Sequence, residues 1–91
     1  MENKLIKVLQ SHIEHGERNS CVLCPLANAL TDEIGWSVAF EEFAETEQYG
    51  TVFFDKAITD KIKHYDLTGE MLPFNFIIKI LEFSDPIAEV V

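Results

Sequence analysis

The segment with the most reactive side chains lies between positions 12 and 24, which hold two of the three histidines and both cysteines. The spacing H-x2-H-x5-C-x2-C supplies the ligand types of a tetrahedral Cys2His2 zinc site, namely His12, His15, Cys21 and Cys24. Zinc held by this set would pin the loop and stabilise a small domain. The alternative interpretation makes the histidines polar turn residues and the cysteines small buried side chains.

The CxxC pair also suggests redox chemistry, which requires a thiolate. Cys24 precedes Pro25 at the start of a predicted helix, and a helix N-terminus lowers the pKa of a thiol. In the thioredoxin-type motif proline lies between the cysteines, whereas here it follows the second one, and no βαβ pattern adjoins it. Redox catalysis is therefore disfavoured. The apolar Val22 and Leu23 between the cysteines predict a loop that packs inward.

Other catalytic patterns are weaker. The acidic residues Glu41, Glu42, Glu45 and Glu47 form either a carboxylate cluster or a solvated face, and exposed charge runs are usually solvated. The chain has no glycine-rich phosphate loop and no Ser-His-Asp pattern. We therefore expect a protein that is not an enzyme, with zinc as the one cofactor to consider.

The charge balance restricts the partners. Sixteen acidic residues against seven basic ones give a net charge of −9, which repels nucleic-acid backbones and anionic lipids and attracts basic proteins. An anionic small molecule would need the few cations to converge in a pocket, within one copy or across a dimer. The candidate ligand-binding residues are Arg18, Lys56, Lys61 and Lys63.

Length and composition predict one folded domain over residues 1–91. Hydrophobic residues make up 47% of the chain, which is an ordinary globular composition. No apolar run approaches the roughly 20 residues of a membrane-spanning helix, and the start, MENKLIKVLQ, lacks a secretory signal. Two cysteines are too few for a disulfide scaffold, so a reducing, cytoplasmic location is expected.

Two helices are predicted. Over residues 25–34 apolar side chains recur at helical spacing, Pro25 suits the first helical position and Gly35 suits the residue after the end. Over residues 56–66 the same spacing returns, and Gly69 provides a stop.

Alternating stretches predict the strands around these helices. In WSVAFEEF the period places Trp36, Val38 and Phe40 on one buried face. TVFFD, residues 51–55, pairs with it through a turn in ETEQYG.

The two outer segments of the chain supply the remaining strands. PFNFIIKILEF, residues 73–83, is apolar on both faces and predicts a strand inside the sheet. IKVLQ, residues 6–10, fits a strand or the first turns of a helix, and a strand is favoured. The resulting order is β-α-β-β-α-β, a two-layer α+β domain with a mostly antiparallel sheet.

The C-terminal strand has more apolar surface than two short helices obviously cover, which predicts an interface. A homodimer around this strand would make an isologous contact. In the alternative, the strand is central and is covered on both faces by loops 42–50 and 84–91. The candidate interface residues are Phe74, Phe76, Ile77 and Leu81.

Two stretches, HIEHGERNSCVLCPLANAL and FFDKAITDKIKHYDLTGEMLPFNFIIKI, resemble small phage and bacterial proteins of unknown activity. The shared features are I-x-x-G-x-R-x-x-C-x-x-CP-x-A-x-AL and a later aromatic-Asp-x-x-G-x-x-x-PF-x-F ending. Residues 36–54 are less alike. The resemblance implies a compact, phage-encoded accessory protein, and it argues against zinc because the pattern contains the cysteines without the histidine pair. The matching residues here are Ile13, Gly16, Arg18, Cys21, Cys24, Pro25, Ala27, Ala29, Leu30, Tyr65, Asp66, Gly69, Pro73, Phe74 and Phe76.

Three functions remain open from the sequence. The favoured one is an inhibitor or adaptor that binds a host or defence protein, with its acidic surface attracting a basic partner or imitating nucleic acid. The second is sequestration of a small molecule such as a nucleotide signal. The third is a zinc- or redox-dependent module that uses the histidines and cysteines.

Overall fold

Three helices and six strands account for most of residues 3–91, the part of the chain that the computed structural model describes. In chain order they are β1 (Lys4–Val8), α1 (Gln10–Glu14), α2 (Pro25–Ile34), β2 (Ser37–Ala39), β3 (Phe43–Thr46), β4 (Gly50–Phe54), α3 (Lys56–Thr68), β5 (Phe74–Lys79) and β6 (Ile87–Val90).

The two long helices begin and end at the residues that local chemistry favours. The Sγ of Cys24 accepts a hydrogen bond from the Ala27 N–H at 3.4 Å before α2, and Asp55 accepts one from the Ile58 N–H at 2.9 Å before α3. Gly69 ends α3 in the left-handed conformation, with φ of 78°. Both predicted helices are confirmed, and α3 runs two residues beyond the predicted end.

All strands form one sheet in the order β1-β5-β6-β4-β3-β2. Neighbouring strands are antiparallel except β4 and β6, which run parallel. The predicted two-layer α+β class with a mostly antiparallel sheet is confirmed. The short helix α1 and the strand β6 add to the predicted order, and the predicted strand over residues 36–43 divides into β2 and β3 at a bend over 40–42.

One face of the sheet carries the core. Helix α2 packs on β1 and β2, and α3 packs on β4 and β6. Alternate strand residues point toward these helices, so burial follows the two-residue period of a strand. The fully buried side chains at the centre include Ile6, Leu26, Leu30, Val52, Ile58, Phe76 and Ile78.

The predicted buried face of β2 is wrong. Ser37 and Ala39 are buried, whereas Trp36 is 59% exposed and Phe40 is also exposed. Helix α2 packs directly on β2, and small side chains let the helix approach the strand. The period of two was therefore correct, but the opposite set of side chains faces the core.

The predicted strand over residues 73–83 is shorter than expected and lies inside the sheet, between β1 and β6. The chain leaves the sheet after Lys79 and returns as β6. Phe76 and Ile78 are both fully buried, so Phe76, predicted as an interface residue, lies in the core.

Gly16 lies where the loop after α1 passes close to two other elements. A Cβ at this position would lie 2.9 Å from the Cδ and Cγ of Pro25 and 3.0 Å from the Tyr65 hydroxyl oxygen. Such distances leave no room for a side chain without movement of the Pro25 ring or of the loop. Only glycine fits this contact between the loop, α2 and α3.

We expect Gly16→Ala to lower the free energy of unfolding by about 1–3 kcal/mol through overpacking. Denaturant unfolding followed by circular dichroism measures the change. The exposed neighbour provides the control, because Glu17→Ala should stay within about 0.5 kcal/mol of the wild type. A Gly16→Ala protein as stable as the control would show that the loop shifts without cost.

Candidate binding cleft

A cleft of about 430 Å³ opens between α1, the loop before α2 and the start of β2. We call it the Trp36 cleft. Its wall combines exposed apolar side chains with polar groups from α1 and α2. The lining residues are Ser11, His12, His15, Val22, Leu23, Asn28, Thr31, Asp32, Trp36 and Ser37.

His12 forms the polar floor of the Trp36 cleft. Its Nδ1 accepts a hydrogen bond from the Leu9 N–H at 2.9 Å, which places the ring proton on Nε2. Nε2 then donates to the Asp32 carboxylate at 2.6 Å. The imidazole is buried and both nitrogens have protein partners, so its main effect is to hold α1 against α2 and to orient Asp32.

Three large apolar side chains form the rim. Val22 is 49% exposed and Leu23 is 43% exposed, and both lie opposite the largely exposed Trp36. The expectation that the loop between the cysteines packs inward is therefore wrong for these two residues. The backbone explains their position: the Glu17 N–H donates to the Leu23 carbonyl and the Ala39 N–H donates to the Cys21 carbonyl, which turns the side chains between them outward.

Carboxylates lie beside this apolar rim. Asp32 remains 69% exposed on its side chain despite the bond to His12. Glu47 lies next to the turn before Trp36, because its N–H donates to the Trp36 carbonyl at 3.0 Å and its carboxylate is 3.7 Å from the Cβ position of Gly35. The lining of the Trp36 cleft thus includes an exposed indole and the Asp32 carboxylate, and Glu47 bonds to the Trp36 backbone beside it.

The loop that carries the rim is fixed to the C-terminal end of α3. Arg18 donates from Nε to the Asp66 carbonyl at 3.0 Å and from Nη2 to the Leu67 carbonyl at 2.6 Å. The Asn19 N–H donates to the Asp66 carboxylate at 2.8 Å. A guanidinium satisfies free carbonyls and complements the negative end of the helix dipole. These bonds position the rim from a distant element.

The proposed zinc ligands do not converge. His12 and His15 line the Trp36 cleft, whereas Cys21 and Cys24 line a separate cleft beside α3. Within residues 3–91 no three histidine, cysteine or acidic side chains are grouped so that they could hold a metal ion. The Cys2His2 set predicted from the spacing is therefore not assembled in this fold.

The environment of Cys24 does not favour a thiolate. Burial raises the pKa of this thiol, and the hydrogen bonds from the Ala27 and Leu26 N–H groups offset that effect only in part. Burial likewise raises the pKa of the Tyr65 hydroxyl, with a further contribution from Cys24. The thiol acts as the N-cap of α2, and this role disagrees with the redox interpretation.

The four candidate anion-binding cations are spread out. Arg18 binds the C-terminal end of α3, whereas Lys56, at the opposite end of this helix of about 20 Å, pairs with Asp60 at 2.8 Å. Lys61 lies over the Phe74 ring at 4.8 Å from its centroid, and Lys63 is exposed. They do not form a common pocket within one copy of the chain.

The four predicted interface residues lie in different environments. Phe76 is fully buried beneath the helices, and Phe74 is partly buried under Lys61. Leu81 is partly exposed after the end of β5. Ile77 points to the face of the sheet opposite the helices, together with its neighbour Leu5 on β1.

Sequence reasoning missed Asp32 and Trp36 as site residues. Asp32 lies two positions from the buried Leu30 and two from the buried Ile34, which places it on the opposite side of the helix and makes it read as a solvated residue. The alternation of residues 36–40 is compatible with Trp36 on the buried face of the strand or on its exposed face. The available signal was a tryptophan directly after the helix-ending Gly35, where the chain turns at the surface.

Comparison with protein-family models, with curated proteins and with solved structures yields no match. Among the helices of residues 3–91, none has the length and apolar composition needed to cross a bilayer.

We expect the free energy of unfolding to fall as the pH rises above about 8.5, which is the ordinary pKa of a thiol. Because burial raises the pKa of Cys24, the folded chain keeps a proton that the unfolded chain loses, so alkaline pH favours unfolding. Denaturant unfolding at several values between pH 8 and pH 10 measures the slope of the free energy of unfolding against pH. Cys24→Ser should flatten it, whereas Cys21→Ser retains the Cys24 thiol and should keep it. An unchanged slope in Cys24→Ser would contradict this assignment.

Proposed function

We propose that this protein is a phage-type accessory protein that acts by binding, as an inhibitor or adaptor of a host or defence protein, and that the Trp36 cleft is its docking site. The observation that carries this proposal is the exposure of Trp36, Val22 and Leu23 around one cleft. Tryptophan anchors are enriched among the residues that dominate binding energy at protein interfaces. Three large apolar side chains exposed together favour a partner over solvent.

The chemistry of the cleft favours a basic segment as the bound part of the partner. An arginine or lysine can lie over the Trp36 indole while it pairs with the Asp32 or Glu47 carboxylate. The aliphatic part of the same side chain would contact Val22 and Leu23. The net charge of −9 accelerates encounter with a basic surface.

The state of His12 supports binding over proton transfer. Its Nδ1 already accepts the Leu9 N–H and its Nε2 already donates to Asp32. A catalytic base would need a ring nitrogen free to reach the substrate. The His12–Asp32 pair is better suited to holding a carboxylate in place for a cationic partner.

Affinity purification of the tagged chain from host cells, followed by mass spectrometry, identifies the partner, and isothermal titration with that purified protein then gives Kd. We expect Trp36→Ala to raise Kd about 30-fold or more, as for a central aromatic anchor. Asp32→Asn should weaken binding less and reduce its dependence on salt. The control is Leu67→Ala, an exposed leucine at the end of α3.

Equal affinity in Trp36→Ala and Leu67→Ala would reject the Trp36 cleft as the docking site. Displacement of the partner by duplex DNA would assign the nucleic-acid-mimicking mode to the acidic surface, because such a partner has its own DNA site. Release of a small molecule from the purified chain, without a protein partner, would favour sequestration instead.

A further inference from the structure

The turn that contains the two cysteines contributes its side chains to two different clefts. The chain turns over residues 21–23 and bends at Cys24. Cys21 and Cys24 line the cleft beside α3, whereas Val22 and Leu23, the two residues between them, line the Trp36 cleft. Both thiols therefore lie on one side of the turn, and the two apolar rim residues lie on the other.

The separation of the two cysteines suits an intramolecular disulfide. A turn brings Cα atoms three residues apart to within about 7 Å of each other, and a disulfide joins residues whose Cα atoms are roughly 4.4–6.8 Å apart. Both cysteines are free thiols. Cys21 is partly exposed and so accessible to a dissolved oxidant, whereas Cys24 is buried at the N-cap of α2. Cys21 is therefore the thiol that reacts first, and Cys24 is placed to complete the bond.

The protonation of Cys24 affects how easily such a disulfide is reduced. Burial raises the pKa of this thiol, so near neutral pH the reduced pair gains nothing from a stabilised thiolate at this position. A cysteine pair whose thiolate is stabilised has a disulfide that is reduced readily, and the disulfide is harder to reduce where that stabilisation is missing. The same environment that opposes redox catalysis thus favours a lasting disulfide.

We propose that Cys21 and Cys24 form a reversible disulfide that restrains the rim of the Trp36 cleft. The oxidant is a low-molecular-weight disulfide such as glutathione disulfide. The Cys21 thiolate attacks one sulfur of the oxidant and expels one glutathione thiolate, and the Cys24 thiolate then attacks the Cys21 sulfur and expels the second. The two protein thiols lose two electrons and two protons, and glutathione disulfide takes them up to become two molecules of reduced glutathione.

The disulfide acts on the rim because it joins the two ends of the turn that carries Val22 and Leu23. In the reduced chain, the Ala39 N–H donates to the Cys21 carbonyl and the Glu17 N–H donates to the Leu23 carbonyl. A covalent link across the turn removes open conformations that these hydrogen bonds alone permit. The effect on binding rests on the proposed docking function: a rim that is already ordered loses less entropy when a partner binds, so the oxidised chain binds more tightly.

Equilibration in buffers of reduced and oxidised glutathione, followed by acid quenching and mass spectrometry of the intact chain, tests the disulfide. We expect the wild-type mass to fall by two hydrogen atoms as the share of oxidised glutathione rises. Cys24→Ser should instead stop with one glutathione attached to Cys21, and Cys21→Ser should stay largely unmodified because its remaining thiol is buried. A wild-type chain that stays reduced, or that stops with glutathione attached, would overturn the proposal whether or not either variant folds.

Amide hydrogen exchange tests the restraint on the rim without any partner. Exchange at Val22 and Leu23 should be at least about 5-fold slower in the oxidised chain than in the reduced chain, because the disulfide opposes local opening of the turn. Cys21→Ser treated with the same oxidant is the matched control and should show no change. Unchanged exchange in fully oxidised wild-type chain would show that the disulfide does not restrain the rim.

Titration of the partner separates this restraint from the docking function. We expect Kd for the oxidised chain to be about 5-fold lower than Kd for the reduced chain. Equal Kd values alongside slowed exchange would overturn the effect on docking and leave the disulfide and its restraint in place. The comparison of Trp36→Ala with Leu67→Ala decides separately whether the Trp36 cleft is the docking site.

Discussion

The attachment of the loop over residues 16–24 to the C-terminal end of α3 is the constraint on which the rest of the molecule depends. Gly16 lets this loop approach Pro25 and Tyr65, and the Arg18 guanidinium binds the carbonyls that α3 leaves free. This contact therefore binds the free carbonyls at the end of α3, packs beside the start of α2 and holds the loop that carries the rim of the Trp36 cleft. Residues 12–30 and residues 53–80 meet at this contact.

The one-sided arrangement of helices separates two surfaces with different properties. On the helical side, α1 and α2 bound a cleft whose polar floor is fixed by the His12–Asp32 hydrogen bond. On the other side, the sheet exposes apolar side chains that include Leu5, Phe53 and Ile87.

The parts of this structure that could be predicted are those specified by neighbouring residues. Pro25 and Gly35 bound α2, and the apolar residues on both faces of the segment 73–83 predict a strand inside the sheet, where β5 lies. The period of β2 was equally visible, but a period of two does not say which side faces the helix. That choice follows from the close approach of α2, which selects Ser37 and Ala39 over Trp36. The Trp36 cleft could not be predicted for the same reason. Its residues Trp36, Val22 and Asp32 become neighbours only through the packing of α1 and α2.

Strand β6 joins the two halves of the sheet. The strands β2, β3 and β4 are sequential neighbours joined by short connections, whereas β1 pairs with β5 in a register that matches Lys4 with Ile78. In the described sheet these two groups are linked through residues 87–90. During synthesis β1 therefore stays unpaired until β5 has been made. Loop closure over such a separation is slow. A nascent chain that lacks β6 can therefore contain the β2–β3–β4 meander and the β1–β5 pair, but these two groups are joined into one sheet only when residues 87–90 have been made.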